Sequence, residues 1–157
     1  MINLWTIEKK KNKWLKIKKK PDIIIFEGWC IGAKHQTNKI LKKTMNKLEK
    51  LKDNNLTWRK KVNNELKNDY KKIFKNIDKL IFLQIPHFDY VYKWRLLQEK
   101  KLKYKSVKAK IMNTNEIKKF IMFYERITKQ MIKDLKYSAD IVIKLDKKHR
   151  LNNMRFN

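Results

Sequence analysis

Glycine is nearly missing from this chain: Gly28 and Gly32 are the only two in 157 residues. Both fall in one short stretch, which excludes a second glycine-rich loop elsewhere. Cysteine is scarcer still. The single Cys30 excludes an internal disulfide framework and suits a reducing compartment, with the cytoplasm as the expected location. Long apolar runs are also lacking. The longest, IIIF and LIFL, fall far short of the ~20 residues that cross a bilayer, and the basic N-terminal segment has no continuous apolar stretch of the kind a signal peptide carries. The three histidines, His35, His87 and His149, lie apart without metal-ligand spacing, which argues against zinc and against a His-Cys nucleophile.

Acidic residues are few as well. Against 15 Asp+Glu stand 42 Lys+Arg, a net charge of +27, and a field of that size attracts nucleic acid, anionic lipid or phosphorylated metabolites. Its make-up points elsewhere. Arg59, Arg95, Arg126, Arg150 and Arg155 are the only arginines; the remaining positive charge is lysine interleaved with Asn and Ile, a pattern that AT-rich coding produces without selection for polyanions. The tryptophans do not follow the basic runs as stacking platforms would. A basic, non-catalytic nucleic-acid-binding module is therefore the alternative reading.

With 42% hydrophobic residues in a periodic arrangement, the chain has the makings of one folded domain. Residues 1–20 form a basic lead-in that Pro21 ends. Residues 22–27, DIIIFE, are a β-branched run bounded by Pro21 and Gly28, the pattern of a fully buried parallel strand. A loop runs to about His35. Ile40, Leu41, Met45, Leu48 and Leu51 recur at helical spacing up to the turn cluster Asp53-Asn54-Asn55. Thr57 is the expected N-cap of the next helix, whose stripe is Val62, Leu66, Tyr70, Ile73, Phe74 and Ile77. A second buried strand is expected over 80–85, a helix over 88–102, and a lysine-rich stretch over 103–110. Thr114 is the expected cap of the clearest helix, with Ile117, Phe120, Ile121, Tyr124, Ile127, Met131 and Leu135 in i, i+3, i+4, i+7 register. A third strand, 140–145, precedes a polar tail. Strands alternating with helices give an α/β fold, a parallel sheet of about three strands with flanking helices. Three such apolar strands would leave unpaired edges, which implies a further strand.

Gly28-Trp29-Cys30-Ile31-Gly32-Ala33-Lys34-His35 follows a strand, yet it fails as a phosphate loop. That loop needs four residues between its glycines, then a lysine and a hydroxyl residue; here three residues intervene, Ala33 separates Gly32 from Lys34, and His35 takes the hydroxyl position. Glu27 is the stronger candidate. An acid at the carboxyl end of a parallel strand lies where ligands bind, and it either holds a magnesium-bound water or orients a substrate hydroxyl, or else bonds to local amides. Arg95 and Gln98 share a helical face with Phe88, Val91 and Leu102, and a polar pair on an apolar stripe must find partners. Arg95 is suited to fork onto phosphate oxygens or onto a carboxylate such as Glu99 or Glu125.

Six segments, in order, carry a resemblance: PDIIIFEGWCIGA (21–33), NKLEKLKD (46–53), WRKKVNNELKNDY (58–70), VYKWRLLQEKKL (91–102), IKKFIMFYERIT (117–128) and ADIVIKLD (139–146). The chain resembles the C-terminal portion of the P-loop kinases grouped with ATP-dependent D-glycerate 3-kinase. That resemblance implies a partial P-loop NTPase fold of nucleotide-kinase type over 21–157, with a helical lid over about 88–136. It implies transfer of the γ-phosphate of ATP, with Mg2+, to a hydroxyl of a small acid such as D-glycerate. Glu27 would lie at the active centre as a catalytic residue and magnesium contact through water, and Arg95 would meet the nucleotide phosphates. Trp94, Gln98, Glu99, Asn63 and Arg126 are the further substrate or lid positions. The family's opening strand, Walker A loop and helix have no counterpart in these residues, so the chain alone is expected to be inactive. A separate N-terminal half carrying the phosphate loop is the implied partner.

Overall fold

A computed structural model describes residues 18–105 and 111–157. The lead-in up to residue 17 and residues 106–110 of the lysine-rich stretch lie outside the described residues. Six helices and three strands follow in order: α1 Asn38–Lys42, α2 Lys47–Lys52, α3 Thr57–Lys67, α4 Asp69–Phe74, β1 Ile81–Gln84, α5 Asp89–Lys105, α6 Thr114–Ser138, β2 Ile141–Leu145 and β3 Leu151–Phe156. The sheet order is β1-β2-β3. β1 pairs parallel with β2, and β3 pairs antiparallel with β2.

The strands differ from expectation at both ends of the chain. Residues 22–27 form no strand. Ile23, Ile24, Ile25 and Phe26 are exposed, Ile25 to 87%, because no described strand offers them a ladder and no described element covers them. The polar tail, in contrast, forms β3. Its hairpin is built by Asp146, whose carboxylate accepts the Lys148 and Arg150 amides at 2.7 and 2.9 Å, while His149 takes a left-handed φ of 63°. The expected parallel sheet is thus a mixed one.

The helices are cut more finely than their periodicity suggests. The apolar series from Ile40 to Leu51 divides into α1 and α2, because the Asn46 side chain accepts the Glu49 amide at 3.0 Å and starts a new helix. Thr57 is the first residue of α3 rather than its cap. Leu56 occupies the cap position with φ 67°, and the Asp53 carboxylate takes over the capping work by accepting the Trp58 and Arg59 amides. The cap of α6 lies one residue ahead of the expected Thr114: Asn113 caps the helix and forms a reciprocal capping box with Glu116. Its apolar stripe is as expected, with Ile117, Ile121, Met131 and Leu135 buried.

The core joins α6 to the sheet through Met131, Leu135, Ala139 and Val142, with Leu66 of α3 and Ala33 of the loop after residue 27 packed in. Gly32 makes that loop possible. Its φ of +80° strains any residue with a side chain, and a Cβ there would lie 2.8 Å from Leu80 Cδ2, so Leu80 would have to move aside.

Candidate functional site

Two groups of polar residues emerge, on opposite sides of α6. The first surrounds a cavity of about 370 Å³ bounded by Trp29, by Phe82, Leu83 and Ile85 around β1, by Val91 and Arg95 of α5, and by α6. Trp29 follows directly on Gly28, and its Nε1 donates to Thr128 Oγ1 at 2.9 Å. Its ring meets Tyr124 edge-on at 4.8 Å. The loop is therefore tied to α6 across the cavity mouth.

Arg95 provides the charge on this wall. Its Nη2 lies 2.6 Å from Glu99 Oε1 and its Nη1 donates to Gln98 Oε1 at 2.9 Å. The guanidinium lies over the Phe120 ring at 5.0 Å. Glu99 is buried, and its second oxygen accepts the Met112 amide at 3.0 Å, so one carboxylate both orients Arg95 and anchors the entry to α6. Among the described residues, Arg95 Nε is buried without a hydrogen-bond partner, as is Gln84 Oε1. A buried donor left without a partner costs free energy, so this guanidinium is only partly satisfied by Glu99 and Gln98.

Of the other candidates, Trp94 leaves α5 in another direction. It donates to the Lys147 carbonyl at 3.3 Å and meets the His149 ring at a tilt of 45° with centroids 3.7 Å apart, against the β2–β3 hairpin. Glu27 is exposed at the end of the extended run, separate from the cavity lining. Arg95, Gln98 and Glu99 are brought together; Glu27 and Trp94 are not part of that cluster.

Asn63 and Arg126 belong to the second group. The Asn63 side chain accepts the Gln36 amide at 2.6 Å and donates to the Gln36 carbonyl at 3.0 Å. Gln36 Oε1 in turn accepts from Arg126 Nη1 at 3.0 Å. Arg126 forks onto Glu49, Nε to Oε1 at 2.7 Å and Nη2 to Oε2 at 2.6 Å, and also donates to the Lys43 carbonyl. Arg59 completes the group, paired to Asp53 at 2.7 Å and bonded to the carbonyls of Leu41 and Asp53. Burial pushes the Glu49 carboxyl up, but hydrogen bonds from Arg126 and the Met45 amide and the charges of Arg126 and Arg59 outweigh it, so the net shift is downward. Asp53 behaves alike: burial raises it, and the Arg59 side chain with the Trp58 and Arg59 amides lowers it further. This network fastens residues 36–53 to α3 and α6.

Sequence reasoning passed over Gln36, Glu49, Asp53 and Arg59 as functional or buried polar positions. Glu49 and Arg59 lie inside the quoted segments NKLEKLKD and WRKKVNNELKNDY, but a charged residue between leucines or lysines carries no sign of burial. The adjacency of Trp29 to Gly28 was the available signal for a residue at a loop mouth.

The architecture is a small mixed sheet backed by a long helix with a second long helix beside it. Over 91% of this chain it superposes with a TM-score of 0.66 on D-glycerate 3-kinase from Cryptococcus neoformans var. grubii, at 20% identity and covering 52% of that chain. A curated protein of Schizosaccharomyces pombe named uncharacterized kinase mug58 is 34% identical over 103 residues, 64% of this chain and 35% of that protein. No protein-family model matches the chain. The chain thus has a kinase-like relationship, and it spans about a third of the curated relative's length and about half that of the solved kinase.

Proposed function

We propose that this chain supplies the acceptor-side and lid portion of an ATP-dependent small-molecule kinase, acting on a hydroxyl of a small acid such as D-glycerate, with the phosphate loop supplied by polypeptide outside residues 1–157. The observation that carries this reading is the asymmetry of the fold match: 91% of this chain against 52% of the kinase. Arg95 fits the role of phosphate contact, because Glu99 and Gln98 hold its guanidinium and leave Nε free. Among the described residues no group of three or more His, Cys, Asp or Glu converges as a metal site. On this reading Glu27 would offer magnesium one carboxylate, which suits an ion that fills its octahedron mainly with water and phosphate oxygens.

In the transfer, the acceptor hydroxyl oxygen bonds to the γ-phosphorus as the bond to the β,γ-bridging oxygen breaks. ADP leaves with that electron pair, and the hydroxyl proton passes to Glu27. Positioning and charge neutralisation carry such reactions. Backbone amides of a phosphate loop are a large part of that neutralisation, so the isolated chain is expected to be inactive.

The test is a chimera that joins the part of the C. neoformans D-glycerate 3-kinase lacking a counterpart here to the 157-residue chain. Phosphorylation of D-glycerate or another small hydroxy acid, lost in Glu27→Gln and reduced in Arg95→Lys, is the expected result. A soluble, folded chimera without phosphotransfer to any such acid, or with transfer indifferent to both substitutions, defeats the proposal.

A further inference from the structure

We propose that the outer face of α5, continued by the tip of the β2–β3 hairpin, binds single-stranded nucleic acid, with lysines on the phosphates and aromatic rings stacked on unpaired bases. This goes beyond the kinase reading and does not rest on it. Lys93, Leu97, Lys100, Lys101 and Tyr104 recur at i, i+4, i+7, i+8 and i+11, one face of a helix, and all five are exposed. Tyr104 is exposed to 89%, so its ring has no packing role in the chain itself. Arg95 and its partner Glu99 lie on the other face of the helix, Arg95 against the cavity.

In sequence the tryptophans do not follow the basic runs, but the fold brings Trp94 to one. Its contacts with the His149 ring and the Lys147 carbonyl hold the hairpin tip, Lys147, Lys148 and His149, beside α5. Tyr90 continues the row, 6.0 Å from Trp94 and with Lys93 Nζ 4.9 Å from its ring centroid. His149 is the exposed end of that row. Lysines elsewhere are matched by acids, as Lys72 is by Asp69, Lys79 by Asp140 and Lys129 by Glu125. The acids of α5 are Asp89, in the first turn beside His87, and the buried Glu99, and Arg150 is committed to Asp146. Lys93, Lys100, Lys101, Lys147 and Lys148 are thus left as five exposed cations without an ion pair among the described residues. From Tyr90 to Tyr104 the helix rises about 21 Å, a basic track with a ring at each end. A duplex keeps its base faces stacked inside, so rings on such a track favour an unpaired strand, with little preference among bases.

The experiment is fluorescence anisotropy of a labelled oligodeoxyuridine of about 12 nucleotides, titrated with the full chain between about 50 and 200 mM salt. Five neutralised phosphates give log affinity a slope of about −3.5 against log salt, a loss of about a hundredfold over that range. Lys100→Gln with Lys101→Gln should bring the slope to about −2. Tyr104→Ala removes an exposed ring without touching the fold, and should weaken binding about tenfold at an unchanged slope. His149→Asn, a residue that tolerates the left-handed φ of 63°, should act in the same direction. Lys60→Gln with Lys61→Gln removes the same charge from exposed positions on α3 and should alter affinity by less than about twofold. An equal loss from the α3 and α5 pairs overturns the proposal, because net charge alone would then drive binding. It is overturned too by no binding near physiological salt, by a Tyr104→Ala chain that binds as the parent does, or by displacement of the strand by about 1 mM AMP, which would assign the rings to a single nucleotide. Vesicles of phosphatidylserine and phosphatidylcholine that respond to the same variants would assign the face to a membrane instead. Neither ATP nor the chimera enters this readout, so the kinase reading stands or falls separately.

Discussion

Arg126 and Glu49 show how a few residues hold this molecule together. Both are buried, and they are joined by a two-pronged contact. Removing one partner from such a pair strands a charge in a low-dielectric setting, which costs about 3–5 kcal/mol. Arg126→Met should therefore lower the free energy of urea unfolding by about that amount, and a loss below about 1 kcal/mol, the range of surface pairs, would show that water reaches the network. The pair also sets an acid limit. Glu49 and Asp53 have folded pKa values below their ordinary ones, so the stability they contribute is full above the unfolded carboxylate range of about pH 4 and is lost as pH falls through the lower folded values. Unfolding free energy measured by circular dichroism should fall steadily below about pH 4; in Glu49→Gln, already weakened at neutral pH, the further loss on acidification should be smaller. An equal slope in the two proteins would contradict this assignment.

At the scale of elements, α6 is the organiser. It packs on the sheet with one face, lines the cavity with a second and supports the buried charges with a third. Its start depends on Asn113, which accepts the Asn115 and Glu116 amides while Glu116 reaches back to the Asn113 amide. Asn113→Ala should destabilise the protein by about 0.5–2 kcal/mol, and Asn113→Asp should recover most of that in the same denaturant titration; equal losses in both would show that the cap is idle. The long helices were legible in the sequence because a 3.6-residue period sustained over many turns is hard to mistake. β1 and β2 were legible as short β-branched runs ending at Pro86 and Asp146. Residues 22–27 carry the same signal, but strand formation needs a neighbouring edge, and local sequence does not report whether one is present. β3 was hidden for the opposite reason: as an exposed edge strand it has no apolar alternation to display. Arg95, Gln98 and Glu99 could be grouped from i, i+3 and i+4 spacing on one helix. The Arg126, Glu49 and Gln36 contacts join residues far apart in sequence, and no spacing rule reaches them.

For the molecule as a whole, the described structure is complete around α6 and open at one side of the sheet. β2 and β3 are laddered, the core is shared by α3, α6 and the sheet, and Ile23 to Phe26, Ile81 and Leu83 of β1, and Leu151, Met154 and Phe156 of β3 are among the apolar residues left outside. The same side faces the cavity with Arg95. On the proposed reading, in which Arg95 contacts phosphate and the phosphate loop comes from polypeptide outside residues 1–157, nucleotide should bind only when the fold is completed. The most direct measurement is calorimetric titration of magnesium-ATP into the 157-residue chain and into the chimera under the same conditions. No saturable heat below about 1 mM for the chain alone, with saturation within the usual kinase range of about 1 μM to 1 mM for the chimera, is the expected result. Tight, magnesium-dependent ATP binding by the 157-residue chain alone would contradict it.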